Sequence, residues 1–220
     1  MSLLITVSGV DCSGKTTQID LLAEACAAQG LRTSTRWFRP GYSDRLDHIR
    51  ERIRSRRANA LPKAGPSDER DRIFQKSGVR VAWVIMALTD LTIEYGASLR
   101  RALLRHDVVI CDRYLEDAFL DLRFRFPELS GLLEVVRAGL ARVLPRPDHA
   151  VLLNLDWELQ TERAIAKAEP FPDTESVRRL RYDAYQEFAQ GRAFTTIDAA
   201  QSIDEVHSAI LSLVGVGSKA

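Results

Sequence analysis

The feature that most constrains this chain is an apolar strand that runs directly into a glycine-framed loop and then a helix. Leu3 to Ser8 reads as a buried strand, and Gly9-Val10-Asp11-Cys12-Ser13-Gly14-Lys15-Thr16 follows it without a break. Ile19, Leu22, Ala23, Cys26 and Ala27 then keep helical spacing until Gly30, which is placed to stop the helix. The loop matches G-x-x-x-x-G-K-[ST], and the strand before it and helix after it are the context the motif needs. Gly9 and Gly14 allow backbone turns that a Cβ would block, so that peptide N–H groups point inward as an anion nest. The helix start at Lys15 adds partial positive charge to that nest. Lys15 is placed to reach β- and γ-phosphates, and Thr16 to put its hydroxyl on Mg²⁺.

Further apolar runs repeat the strand and helix alternation, which predicts a parallel sheet with crossover helices. Arg32 to Phe38, Asp107 to Cys111, His149 to Leu155 and Phe194 to Ile197 read as strands. Val79 to Leu104 reads as one long core helix, Glu128 to Leu144 as an amphipathic helix ending at Pro145-Arg146-Pro147, and Ser202 to Val214 as a last amphipathic helix. Arg50 to Arg72 is polar and Arg-rich with Pro62 and Pro66, and reads as a helix end followed by a mobile loop on the acceptor side, either a cover for the acceptor site or a surface loop. Arg163 to Arg181, around Glu169-Pro170-Phe171-Pro172, reads as a hinged cationic flap, or lid, rather than core. The fold class expected is α/β, a three-layer P-loop kinase fold with a five-stranded parallel sheet. Residues 1–220 are expected to form a single domain, with the lid at about 163–181 and the polar loop at about 50–72.

Charge narrows the partners. Lys and Arg number 31 against 30 Asp and Glu in 220 residues, so no global basic field points to nucleic acid. No stretch approaches eighteen apolar residues, and Met1 to Val7 lacks a signal-peptide pattern, so no membrane partner is expected. Cys12, Cys26 and Cys111 form no CxxC pair, and an odd count closes no disulfide framework. Reduced, buried thiols and a cytoplasmic location are the expectation.

Two elements complete the chemistry. Asp112-Arg113-Tyr114 follows the third strand, at the carboxyl end where parallel sheets bind ligands. Asp112 there would hold Mg²⁺ through water, and Arg113 would bridge donor and acceptor phosphates; the alternative is a structural Asp–Arg pair closing a strand end. In the flap, Arg163 and Lys167 share a helix face, and Arg178, Arg179 and Arg181 follow the proline break. Closure of such a flap would exclude water and bring charge to the transferring phosphoryl group; the alternative is a solvated charged helix.

The ordered set resembles the thymidylate kinases, a nucleoside monophosphate kinase group. It comprises the cradle with Asp11 inside it and Thr17-Gln18 behind it, Arg39-Pro40-Gly41 after the second strand, Asp112-Arg113-Tyr114, Pro147-Asp148 before a strand ending Leu155-Asp156, Glu162-Arg163-Ala164, and Thr196-Ile197-Asp198-Ala199-Ala200. The resemblance implies ATP and Mg²⁺ as the donor pair. Gly9, Val10, Asp11, Cys12, Ser13, Gly14, Lys15, Thr16 and Thr17 would bind the phosphates, and Thr16 and Asp112 the metal. It implies that Asp11 orients the acceptor, Arg39 holds the acceptor phosphate and Arg113 bridges the substrates. Arg163 would lie against adenine, bordered by the turn at Ala199, Ala200 and Gln201. The catalytic set would be Asp11, Lys15, Arg39, Arg113 and Arg163, with further cations from the flap. A small-molecule acceptor and a homodimer through the Val79 to Leu104 helix are also implied.

The acceptor half departs from that family. Where the family carries a thymine-stacking aromatic followed by an Asp-Arg or Asn-Arg pair, this chain reads Met86-Ala87-Leu88-Thr89-Asp90-Leu91. Where it carries small hydroxyl residues and Tyr-Gln, this chain reads Leu115-Glu116-Asp117-Ala118-Phe119-Leu120-Asp121-Leu122. Asp90, Glu94, Asp117 and Asp121 would then line an acidic pocket, or face solvent. Three readings follow: a kinase acting on a nucleoside monophosphate such as dTMP; a P-loop kinase phosphorylating a hydroxyl of an amine-bearing acceptor, with Asp11 as general base; and a nucleotide-dependent switch without chemistry, against which Lys15, Thr16 and Asp112 argue.

Overall fold

The computed structural model describes residues 2–41, 77–167 and 174–216. The polar 50–72 loop and the Glu169 to Pro172 part of the lid lie outside the described residues. The elements run β1 (Leu3–Gly9), α1 (Lys15–Ala28), β2 (Thr33–Trp37), α2 (Ser77–Leu91), a π-helical turn (Thr92–Ser98), α3 (Leu99–Leu103), β3 (Val108–Asp112), α4 (Leu115–Arg125), a 3₁₀ turn (Pro127–Leu129), α5 (Ser130–Val143), β4 (His149–Asn154), α6 (Trp157–Lys167), α7 (Glu175–Gln190), β5 (Thr195–Asp198) and α8 (Ile203–Val214). The five strands form one parallel sheet in the order β2-β3-β1-β4-β5. The expected strands are all present, with ends shifted by about one residue. No described helix is long and apolar enough to cross a membrane.

Two compact units divide the described chain. The first holds residues up to Trp37, Arg101–Asp121 and Arg146 onward; the second holds Phe38–Arg100 and Leu122–Pro145. The first unit contains the whole sheet. Its central strands are buried on both faces, as Ile5, Val109, Ile110, Val151, Leu152 and Leu153 show, because helices cover both sides. Helix α1 buries Lys15, Gln18, Ile19, Leu22 and Cys26 along one stripe. It ends as its glycine predicts: the Gly30 N–H donates to Ala27 O (2.9 Å) and the Leu31 N–H to Cys26 O (3.1 Å), a Schellman closure. Helix α8 starts with a capping box between Ser202 and Glu205 and buries Val206, Ile210 and Val214. Each of those side chains contributes roughly 1.5–3 kcal/mol by leaving water.

In the second unit, Trp83 packs on Phe126 with ring centroids 5.5 Å apart, and Phe38 meets Tyr95 edge-on at 5.2 Å. Gly41 (φ +78°) lies so close to Trp83 that an added Cβ would come within 2.9 Å of the indole. The buried Asp90 carboxylate accepts the Gly41 N–H at 3.1 Å, holding the turn of the Arg39-Pro40-Gly41 run. The expected Val79 to Leu104 helix is interrupted: seven residues from Thr92 to Ser98 are π-helical, which changes the face that the following residues present.

Candidate active site

Strand β1 sits between β3 and β4, where the order of strands reverses, and such a switch point opens a crevice beyond the carboxyl ends. Two loops leave the sheet there. The cradle follows Gly9, and Asp112-Arg113-Tyr114 follows β3, one register step away: Val7 pairs with Asp112, and the Arg113 N–H donates to Val7 O at 3.0 Å. Cys12 (φ +67°) and Gly14 (φ +85°) take left-handed backbone, which folds the loop over the start of α1. Cys12 is half-buried, because it belongs to this loop, whereas Cys26 and Cys111 are buried as expected; all three are free thiols.

Lys15 is buried, and its Nζ donates to the loop carbonyls of Gly9 (2.9 Å) and Val10 (2.7 Å). Burial, followed by repulsion from Arg113, pulls its pKa down to about 8, with Asp11, Asp112 and Asp117 opposing the fall. An ammonium held this way is stored beside the cradle at the cost of its own solvation. Thr16 and Thr17 are exposed on the first turn of α1, as hydroxyls meeting a ligand must be. A prediction follows for the free enzyme. With Lys15 as the ammonium expected to meet the phosphates of ATP, kcat/KM for ATP is expected to fall as pH rises through about 8, while kcat, measured with phosphates already against the ammonium, holds to higher pH. A pH–rate series over both parameters tests it; a kcat/KM that stays flat to pH 10 would exclude it.

Arg113 adopts left-handed backbone (φ +70°), which is uncommon away from glycine and aims its side chain back over the cradle. It does not pair with Asp112. Its Nη2 donates to Asp11 Oδ1 at 2.7 Å and its Nη1 to the Tyr185 hydroxyl at 3.3 Å. Burial works against its charge, but Tyr185, Asp117, Asp11 and Asp121 more than offset that and raise its pKa. Burial also pushes the Asp11 carboxyl up, yet Arg113, Lys15, Arg181 and Lys167 outweigh it and hold Asp11 below its ordinary value. Asp112 goes the other way: burial raises its pKa, against the pull of Lys15 and Arg113. Its Oδ1 is buried and accepts no hydrogen bond among the described residues. Ser13 Oγ in the cradle is likewise buried without a partner there.

On the β4 and β5 side, Arg163 of α6 donates to Ala199 O at 3.1 Å. The Ala199 N–H bonds Asn154 O at 2.7 Å and the Ala200 N–H bonds Asp198 Oδ1 at 2.9 Å, which shapes the turn after β5. Gln160, buried one helical turn before Arg163, directs Nε2 to Asp11 O at 3.5 Å. Residues 163–167 and 175–181 of the expected flap are helical and mostly exposed, and the buried side chains of α6 and α7, Gln160 and Tyr185, lie just outside its bounds. Its cations are engaged: Arg178 and Arg179 stack on Trp157 at 5.7 and 5.0 Å, and Arg181 pairs with Asp121.

The structure thus brings together Asp11, Lys15, Asp112 and Arg113, and separately Arg163 with Ala199. Arg39 is exposed, follows β2, and belongs to the second unit. Three of the four acids singled out in the sequence have protein partners. Asp117 is spent on Ser8, Tyr114 and Tyr185, Asp121 on Arg181, and Asp90 on Gly41. Tyr185 and Gln160 are site neighbours that the linear sequence does not flag. Each lies far along the chain from the group it touches, and neither stands in a motif.

The model of the family described as thymidylate kinase matches residues 74–210. Thymidylate kinases of Solidesulfovibrio magneticus (28% identical over 233 residues, covering 97% of this chain and 99% of the relative), Pseudomonas syringae pv. tomato (27% over 223 residues, 96% and 94%) and Schizosaccharomyces pombe (27% over 218 residues, 96% and 90%) are similar to it along nearly their whole length.

Proposed function

The chain belongs to the thymidylate kinase family, and from that premise we propose that it transfers the γ-phosphoryl group of ATP to the 5′-phosphate of dTMP. A bond forms between an acceptor phosphate oxygen and the γ-phosphorus as the bond to the β,γ-bridging oxygen breaks, and ADP leaves. Catalysis is positioning plus charge stabilisation. The backbone of the cradle holds the donor phosphates and Lys15 turns from its carbonyls to the β- and γ-oxygens. Arg163 and the Ala199–Ala200 turn border the adenine, Arg39 holds the acceptor phosphate, and Asp11 orients it. The observation that carries this reading is the 2.7 Å contact of Arg113 with Asp11 above the cradle. It supports this reading because a cation of raised pKa beside the cradle suits the bridging of donor and acceptor oxygens.

Thr16 and Asp112 are the residues suited to Mg²⁺, since Asp112 Oδ1 is a buried acceptor without a partner among the described residues. Bound there, the metal supplies charge to the phosphate oxygens and keeps Asp112 ionised against the burial that raises its pKa. The amine-bearing acceptor loses its support. The acids that suggested it have protein partners, and Asp11, held below its ordinary pKa, is a poor general base for a hydroxyl at neutral pH. A phosphate acceptor needs no such base. Exposed Val81, Ile85 and Ile93 on α2 and the π turn support a homodimer through this helix. Three free thiols fit a reducing, cytoplasmic setting.

The test is ADP release with a panel of acceptors. Turnover is expected with dTMP above other nucleoside monophosphates. Silence with every monophosphate, and turnover with an aminated sugar or nucleoside, would overturn the assignment.

A further inference from the structure

Asp117 is a buried carboxylate that accepts three hydrogen bonds from protein groups. Its Oδ2 accepts from the Ser8 hydroxyl at 2.6 Å and from the Tyr114 N–H at 3.0 Å, and its Oδ1 accepts from the Tyr185 hydroxyl at 2.6 Å. Ser8 is the last residue before the cradle glycine, Tyr114 closes the Asp112-Arg113-Tyr114 turn, and Tyr185 stands in the middle of α7. One carboxylate therefore joins the two loops that build the site to helix α7, which begins within the expected lid. A buried charge with three donors is well satisfied, whereas removing a donor leaves part of it uncompensated.

Tyr185 hands this constraint on. Its only proton goes to Asp117, so the lone pairs of the same oxygen face Arg113, whose Nη1 donates to it at 3.3 Å. Burial, followed by the charge of Asp117, raises the Tyr185 pKa well above its ordinary value, so the hydroxyl remains a donor throughout the working range. The Arg113 guanidinium has five N–H donors, and these contacts with Tyr185 and Asp11 use two of them. A direct two-pronged pair with Asp117 would take more donors and pull the guanidinium down into the sheet. Passing the carboxylate's influence through a phenol holds Arg113 at one edge and leaves the other donors for phosphate oxygens.

We propose that Asp117 and Tyr185 form a positioning relay for Arg113, in which Asp117 fixes the Tyr185 hydroxyl, the hydroxyl fixes the guanidinium, and helix α7 is thereby coupled to phosphoryl transfer. The relay deepens the reading above and rests on it, because it gives Arg113 its orientation for bridging the two substrates.

The test uses Arg113→Ala, Tyr185→Phe and the double variant in the full chain, with kcat, both KM values and Tm measured. Tyr185→Phe deletes one oxygen and keeps the ring. It is expected to lower kcat by about 10- to 100-fold, on the scale of a catalytic group misplaced by about an ångström, with both KM values within about threefold of wild type. In the Arg113→Ala background the same change is expected to lower kcat no further, because the group it positions is gone. A Tyr185→Phe enzyme with wild-type kcat, beside an Arg113→Ala enzyme that has lost it, would overturn the relay alone. An equal fall in both backgrounds would also overturn it, showing that Tyr185 acts independently of Arg113. If Arg113→Ala keeps the wild-type kcat, the role of Arg113 falls and the relay falls with it.

Discussion

Lys15→Ala is expected to lower kcat by about 10²- to 10³-fold while the protein stays folded, the scale seen when one preorganised charge-stabilising donor is removed from a transition state. The two halves of that expectation have separate causes. The ammonium now bonds two loop carbonyls, Gly9 O and Val10 O, so the variant loses those contacts. It also loses a buried charge whose pKa of about 8 records how much its desolvation costs. These effects oppose each other in the folded state, so Tm is expected to move little. During transfer nothing replaces the lost cation. Negative charge spreads over the γ-phosphoryl oxygens with one positive group fewer beside them. Steady-state kinetics with a melting curve decide the matter: normal turnover would remove Lys15 from the mechanism, and a collapsed Tm would make its role structural.

The second large effect is expected at Gly9→Ala, and it is a loss of stability. Gly9 pairs with Leu153 in the β1–β4 ladder and has φ +149°, a backbone conformation that side chains rarely adopt. A Cβ added there would lie 2.6 Å from the Leu153 carbonyl oxygen and 2.9 Å from Ser13 Oγ. Ser13 can turn its hydroxyl away, but the Leu153 oxygen belongs to the sheet and cannot move without separating two central strands. Strain at a special φ and overpacking of a rigid contact each cost about 1–3 kcal/mol, so a destabilisation of about 2–6 kcal/mol is expected, with a Tm lowered on the order of 10 °C. Gly14→Ala is the control: it shares a positive φ, but open space surrounds its Cβ position, so it meets only the backbone strain. Equal Tm values for the two variants would show that the Leu153 contact does not limit the cradle.

Particular elements show what was legible in the sequence. The strand, loop and helix from Leu3 to Ala28 stand where the motif and the apolar spacing put them, and Gly30 closes the helix through the bonds its position implies. The ends of the other strands needed only small shifts. The long helix did not survive intact, because no local pattern announces a π-helical turn: the residues from Thr92 to Ser98 bond i→i+5 instead of i→i+4, and Glu94 and Tyr95 within the turn are buried. The stacking of Arg178 and Arg179 on Trp157 and the pairing of Arg181 with Asp121 were not legible, because they depend on helices meeting after the chain has turned back.

The carboxylates make the same division sharpest. By itself the sequence determined the glycine-framed loop between β1 and α1, a strand-end Asp and Arg, and the parallel sheet that brings them to one edge. These follow from short-range physics: glycine freedom, apolar periodicity and the direction of strand ends. Only the tertiary structure decided that Asp117 and Asp121 serve Tyr185 and Arg181 rather than a cationic ligand, and that Arg113 turns to Asp11 rather than to its neighbour Asp112. The contacts of Asp117 and Asp121 with α7 join residues 60 or more positions apart, and that between Arg113 and Asp11 spans 102. A charge in a linear chain carries no mark of which distant partner will meet it, because the choice depends on burial and distance that exist only once the sheet and its helices have come together.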